Sequence, residues 1–157
     1  NLTKAHLQNA DLQGADLRNA NLSGANLLGA NLRNANLSGA NLSDTEVSTV
    51  ILRDANLSGA NLTNINLSFS NLSYANLEKA DLTNSILIMA NFFLANLYKA
   101  DLSKAYMGTT NFTGADLRKA NFTEAEFDES VKFDSAQTKG LIFCKTKTPW
   151  GVDNSGC

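Results

Sequence analysis

Every fifth residue from Leu2 to Phe127 is apolar. Twenty of these 26 centres are Leu, and Val47, Phe92, Met107, Phe112, Phe122 and Phe127 fill the rest. Two places before each centre, from Ala5 to Ala125, Ala occupies nineteen of twenty-five positions. The residue between them is Asn or Asp in twenty cases out of 26. A strict period of five fits neither the 3.6 of a helix nor the 2 of an ordinary strand, so the chain is an internal-repeat architecture.

A position that never varies in polarity is buried, so the centre of each unit points inward. Alternation along an extended segment sends the small residue two places earlier to the same side. The other three positions face outward and are mostly Asn, Asp, Ser, Thr, Gly, Lys and Arg. The last of them is often Gly or Asn (Gly14, Gly24, Asn34, Gly39, Gly59), which suit tight turns. Each unit is thus one short side and one corner. A single unit cannot bury its Leu alone, so units must coil and stack.

This A(D/N)LXX run over Leu2 to Phe127 resembles the pentapeptide-repeat family and covers about four fifths of the chain. The resemblance implies an all-β fold, a right-handed quadrilateral β-helix with four repeats per coil. Roughly six and a half coils of twenty residues would stand ~30 Å tall at the ~4.8 Å spacing of neighbouring strands. Its interior would be columns such as Leu12, Leu32, Leu52, Leu72, Phe92 and Phe112. The chain opens directly on a repeat, so upstream residues or some other cover are expected over Leu2 and Leu7.

Departures from the pattern set the expected boundaries. At Thr45 to Leu52 the Ala and Asn positions change while the phase survives, as in a distorted corner. Phe133 follows Phe127 by six residues, so residues 1–127 are expected to form the β-helix and 128–157 a C-terminal cap. The cap is expected to include a short helix within Asp128 to Gly140, with Ser130 or Asp134 at its start and Gly140 as stop. In the tail, Pro149-Trp150-Gly151 reads as a turn bracketed by Cys144 and Cys157. The two cysteines are either a disulfide pinning the tail across the end of the coil or two reduced thiols. The segment from Phe143 to Cys157 also resembles the C-terminal module of pentapeptide-repeat proteins from cyanobacteria and the thylakoid lumen, in which the two Cys can be bridged. That resemblance implies a thylakoid lumen or periplasm, an oxidising setting; a cytoplasmic home is the alternative.

Catalysis finds little support. His6 is the sole histidine and lies at an outward position far from the cysteines, so no zinc set, HExxH or triad can be assembled. No catalytic, cofactor or metal-ligating residues are assigned. A net charge of −2 and a pI near 5.3 disfavour nucleic acid as partner. The longest apolar run, Ile86 to Ala90, is far below the ~20 residues of a membrane helix, so membrane insertion is not expected.

The outward positions carry the functional signal. A twenty-residue period places Lys79, Lys99 and Lys119 in one column, with Asp81 and Asp101 expected to offset their repulsion. The same period stacks Phe69 under Met89 and Tyr74 under Leu94, and brings in Ile86, Ile88, Phe93, Tyr98 and Tyr106, all outward where Ser, Thr, Asn or Gly is the rule. A clustered apolar patch of this kind marks a contact site or is covered by local irregularity. The expected function is a non-enzymatic scaffold presenting its faces to a protein partner or to another copy of itself. A DNA mimic that inhibits a type II topoisomerase, an activity the family resemblance brings in, is the alternative; the near-neutral charge and the lysine column oppose it.

Overall fold

The computed structural model describes residues 1–149 and 151–157. The backbone is an all-β, right-handed four-sided coil, and each residue before a centre bridges in parallel to its counterpart one coil on. The first side carries the column Asn21, Asn41, Asn61, Asp81, Asp101, Asn121, Ile142, and the second His6, Asn26, Glu46, Asn66, Ile86, Tyr106. The third carries Asp11, Asn31, Ile51, Asn71, Asn91, Asn111, Lys132, and the fourth Asp16, Asn36, Asn56, Asn76, Asn96, Asp116, Gln137. The second side continues as short strands, β1 (Tyr106–Met107), β2 (Glu126–Phe127) and β3 (Thr146–Thr148), paired in parallel.

One repeat accounts for all its amides. Asn71 N–H donates to Val50 O, Leu72 N–H to Asn91 O, Tyr74 N–H to Phe93 O, and Ala75 N–H closes the turn on Leu72 O, at 2.8–3.1 Å. The fifth amide, Ser73 N–H, donates to the side-chain Oδ1 of Asn71 at 3.0 Å. The amide end of such an Asn then reaches one coil back. Asn56 donates to Asn36, Asn76 to Asn56 and Asn96 to Asn76, at 3.0–3.3 Å. Asn therefore serves two bonds in perpendicular directions, a turn cap and an inter-coil rung. Asp supplies the cap and can accept a rung, as Asp11 does from Asn31 and Asp101 from Asn121, but cannot donate one, because an ionised carboxylate has no hydrogen to give.

The turns have φ > 0 at their third residue only, the type II pattern. Gly14, Gly24 and Gly39 adopt it at φ of 64–68°, as expected from the sequence. Phe69, Tyr74, Met89 and Leu94 adopt it too, at φ of 55–61°. For a bulky residue that conformation costs roughly 1–2 kcal/mol.

The predicted interior is present. From Leu22 to Phe122 every centre is at most 1% exposed, and the small residues two places earlier line the same core. Leu2, Leu7, Leu12 and Leu17 in the first coil are half-buried. Each buried large side chain contributes about 1.5–3 kcal/mol. Towards the C-terminal end the filling turns aromatic: Phe92, Phe112 and Phe133 stack with centroids 5.1 and 5.5 Å apart.

The expected helix within 128–140 is not formed, and the described residues contain no helix. The chain takes up one extra residue at 128–131 and then resumes the coil, with bridges now offset by 21: Asn111 to Lys132, Asp116 to Gln137, Asn121 to Ile142. Phe133 and Phe143 take centres on either side of Thr138, Ala136 and Leu141 lie two places before centres, and these four apolar residues pack on the core, which outweighs any helical tendency. Gly140, expected as a helix stop, sits instead in a coil turn at φ 73°. At the extra residue, Ser130 Oγ accepts the Thr109 amide at 2.8 Å, replacing the carbonyl that serves this role at other corners.

Beyond β3, strand β4 (Gly151–Asp153) folds back antiparallel and covers its edge. Trp150, in the predicted turn, lies outside the described residues. Cys144 and Cys157 form a disulfide, and Asn154 Oδ1 accepts the Lys145 amide at 3.1 Å, so the tail is tied across the last coil. At Gly156 a Cβ would lie 2.8 Å from both the N and the O of Phe143, so only glycine fits there.

Two mutations test this bonding scheme. Asn76→Ala removes a cap and two rungs, and should lower stability by about 1–2 kcal/mol in a denaturant titration; Asn76→Asp should lose less, because the cap and the rung accepted from Asn96 survive. Ser85 Oγ is buried without a partner, whereas Ser70 and Thr110 in equivalent positions donate to Val47 O and Leu87 O. Ser85→Ala should therefore stabilise the protein by about 1 kcal/mol; a lower melting temperature would show that the hydroxyl is bonded.

Candidate functional site

The Asn ladder identifies where the surface departs from its structural rule. Before the slip, from Asn1 to Glu126, six ladder positions carry neither Asn nor Asp, and five of them lie on the second side: His6, Glu46, Ile86, Tyr106 and Glu126. Ile86 and Tyr106 offer no carboxamide to the amides of Ile88 and Gly108. Their side chains face solvent instead, 40% and 48% exposed. At the corner that follows, Phe69 and Met89 stand 59% and 50% exposed, with Ile88 half-buried beside them.

Tyr74 and Leu94 occupy the next corner, between the third and fourth sides, and are also exposed. Phe93 meets Tyr74 edge-on at 5.7 Å, and Arg53 covers the Tyr74 ring at 5.2 Å. Leu94 leans over Gly114, where a Cβ would come within 2.7 Å of Leu94 Cδ2. Between these two ridges runs the polar third side, where Asn111 donates to Asn91 at 3.1 Å. The patch expected from the sequence is thus two apolar ridges rather than one sheet of residues.

Tyr98 joins neither ridge. It sits at the corner between the fourth and first sides, under Lys99 Nζ at 5.2 Å and the Arg118 guanidinium at 5.6 Å. The lysine column stands at that same corner. Lys79 pairs with Glu78 at 3.1 Å, not with Asp81. Asp81 and Asp101, expected to offset the column, accept the turn amides of Thr83 and Ser103, each at 2.9 Å. Lys99 and Lys119 form no ion pair among the described residues.

Perturbed carboxylates serve turns. Asp16, bound through its side chain to Arg18 and capping the Arg18 amide, is lowered to about 2. Asp116 is lowered by the same arrangement with Arg118, and Asp128 by bonds from Ser130. All three hold structure by staying ionised, and none faces a cleft partner suited to proton transfer. No group of three or more His, Cys, Asp or Glu that could hold a metal occurs among the described residues. No helix there is long and apolar enough to cross a membrane.

Two depressions absent from the sequence reading open on the second side and its corner with the first. The upper one is lined by Asn84, Lys104, Tyr106, Glu124, Glu126, Lys145 and Lys147. Glu124 lies 3.9 Å from Lys104 and 3.8 Å from Lys145, and Lys147 bonds Glu126. The lower one includes Leu28, Asp44, Glu46, Asn64 and Asn66. Lys145 and Lys147 lie beyond the one-residue slip, so folding on a strict twenty-residue period misplaces them. Carrying the offset of 21 past Asp128 would have put them in these columns.

A family model described as pentapeptide repeats matches the chain in eight copies, over residues 1–39, 15–54, 51–87 and 90–128. Among solved structures, the chain is similar to HetL, a pentapeptide repeat protein involved in heterocyst differentiation regulation in the cyanobacterium Nostoc sp. strain PCC 7120. They share 25% identity over 93% of this chain and 77% of HetL, with a TM-score of 0.63. QnrB1, a plasmid-mediated fluoroquinolone resistance protein, shares the fold at 19% identity, 85% and 81% coverage and a TM-score of 0.55. A second Nostoc pentapeptide repeat protein is 35% identical over 66% of this chain and 69% of its own, with a TM-score of 0.44. No curated protein matches the chain by sequence. The repeats matched across nearly the whole coil, and the four-sided backbone they build, place this chain in the pentapeptide-repeat family.

Proposed function

We propose that the protein is a non-enzymatic scaffold that holds a protein partner on its second side and the corner beside it, through Phe69, Ile86, Ile88, Met89 and Tyr106. The single observation behind this reading is where the rule is broken. Exposed apolar residues stand at positions where Asn would add a cap and a rung, and where Gly would relieve a left-handed turn. Each choice lowers stability without filling the core, and a contiguous apolar surface is what a partner would bury. The ridge of Tyr74, Phe93 and Leu94 extends the same contact zone. The uncompensated Lys99 and Lys119 speak against a DNA mimic, which needs a continuous anionic face.

The Cys144–Cys157 disulfide supports an oxidising compartment such as a thylakoid lumen or periplasm. Thiol titration of the unfolded, unreduced protein should find no free thiol; two would overturn that placement.

Phe69→Asn with Met89→Asn separates binding from folding, because Asn tolerates φ > 0. The double variant should melt at or above the wild-type temperature. In affinity capture from a native extract it should lose, by tenfold or more, the protein that the wild type retains. Equal capture by both would refute the assignment.

A further inference from the structure

The second side and its leading corner carry two columns whose order is self-complementary when inverted. On the side the order is Glu46, Asn66, Ile86, then Tyr106, Glu126, Lys147, one residue per coil. On the corner it is Asp44, Asn64, Asn84, then Lys104, Glu124, Lys145, also one per coil, the first two lining the lower depression and the other four the upper one. We propose that this face pairs with the same face of a second copy, the two coils antiparallel, about a two-fold axis passing between the levels of Ile86 and Tyr106. The proposal rests on the reading of the second side as a contact surface and names its occupant.

Two faces meeting antiparallel keep the same corner opposite itself while reversing the order of coils. Inversion about that midpoint sets Glu46 against Lys147 of the other copy, Asn66 against Glu126, and Ile86 against Tyr106. On the corner it sets Asp44 against Lys145, Asn64 against Glu124 and Asn84 against Lys104. Every charged residue of these two columns meets an opposite charge or an amide, and the apolar pair falls at the centre, twice by symmetry. Beside it, Met89 comes opposite Thr109, and Ile88 opposite Gly108, which has no side chain to obstruct it.

An adjacent register and the parallel alternative are disfavoured. Moving the axis to the level of Ile86 brings Glu46 against Glu126 and Asp44 against Glu124. A parallel arrangement sets each charge of the side column against itself. Like-charge contacts across an interface are costly, so the order of residues disfavours both alternatives, and the proposed register is the one that centres the apolar pair with Glu46 opposite Lys147.

The participating groups keep free valences for a second copy. Glu46 uses Oε2 for Asn26 Nδ2 at 2.6 Å, leaving Oε1. Asp44 uses Oδ1 for Asn64 at 3.2 Å, leaving Oδ2. Lys145 approaches Glu124 at only 3.8 Å, and Lys147 is 66% exposed beside Glu126. One side of a narrow prism, six coils tall, falls at the small end of stable interfaces, so the dissociation constant should be on the order of micromolar.

Sedimentation velocity over a concentration series tests the proposal. The wild type should pass from monomer to dimer in the micromolar range. Glu46→Lys alone and Lys147→Glu alone should each weaken dimerisation at least tenfold. An equimolar mixture of the two variants should associate again, because both charge pairs are then opposite. Melting temperatures of each variant confirm that the fold is intact. A wild type that stays monomeric near ~1 mM, or a mixture no tighter than either variant alone, would overturn the pairing. If the wild type is monomeric yet Ile86→Asn loses a protein captured from extract, self-pairing is wrong and the partner reading stands. If neither dimer nor capture responds to Ile86→Asn, both fall.

Discussion

Everything in this molecule follows from a backbone that must satisfy its amides without long strands. Each side of the coil is too short for a ladder of its own, so three amides per repeat bond to neighbouring coils and one closes the turn. The fifth has no backbone acceptor within reach, and the Asn or Asp before the apolar centre supplies one. That is why polarity at this outward position is nearly as strict as apolarity at the centre. The centre supplies burial, the Asn completes the hydrogen bonding, and the small residue two places before the centre lets the walls approach.

The fold was legible because its determinants repeat. Leu72, Asn71 and Tyr74 each report the same geometry as their counterparts in every other coil, so one correct inference holds throughout. The double role of Asn was not legible: outward polarity explains Asn and Asp equally, and only the inter-coil rungs distinguish them. The C-terminal region was misread because the sixth-residue step to Phe133 resembles an ending. In space it is one residue looped out at Asp128 to Val131, after which Phe133, Thr138 and Phe143 return to the centres.

The surface was legible in part. Folding on twenty residues correctly exposed Phe69, Met89, Tyr74 and Leu94. It did not reveal that the third side keeps its Asn rungs between two apolar ridges, nor that Tyr98 lies with the cations at another corner. Those distinctions depend on which side of the prism a residue occupies, a fourfold assignment that linear patterning leaves open. The strain at Phe69 and Met89 is likewise a backbone property: the sequence names the residues, and the left-handed turn gives them a cost.

The looped-out residue at 128–131 has a consequence for how the chain finds its frame. A perfectly periodic coil could slide along itself by a whole unit and still lay leucine on leucine, leaving many nearly equivalent threadings. The single 21-residue turn admits no such sliding, because the segments on either side of it fall out of phase when displaced. The aromatic column of Phe92, Phe112 and Phe133 adds a second mark, since three rings stack in it where the coils below carry leucine. An apparent flaw in the repeat thus serves as the vernier that gives a monotonous sequence a unique address for every residue.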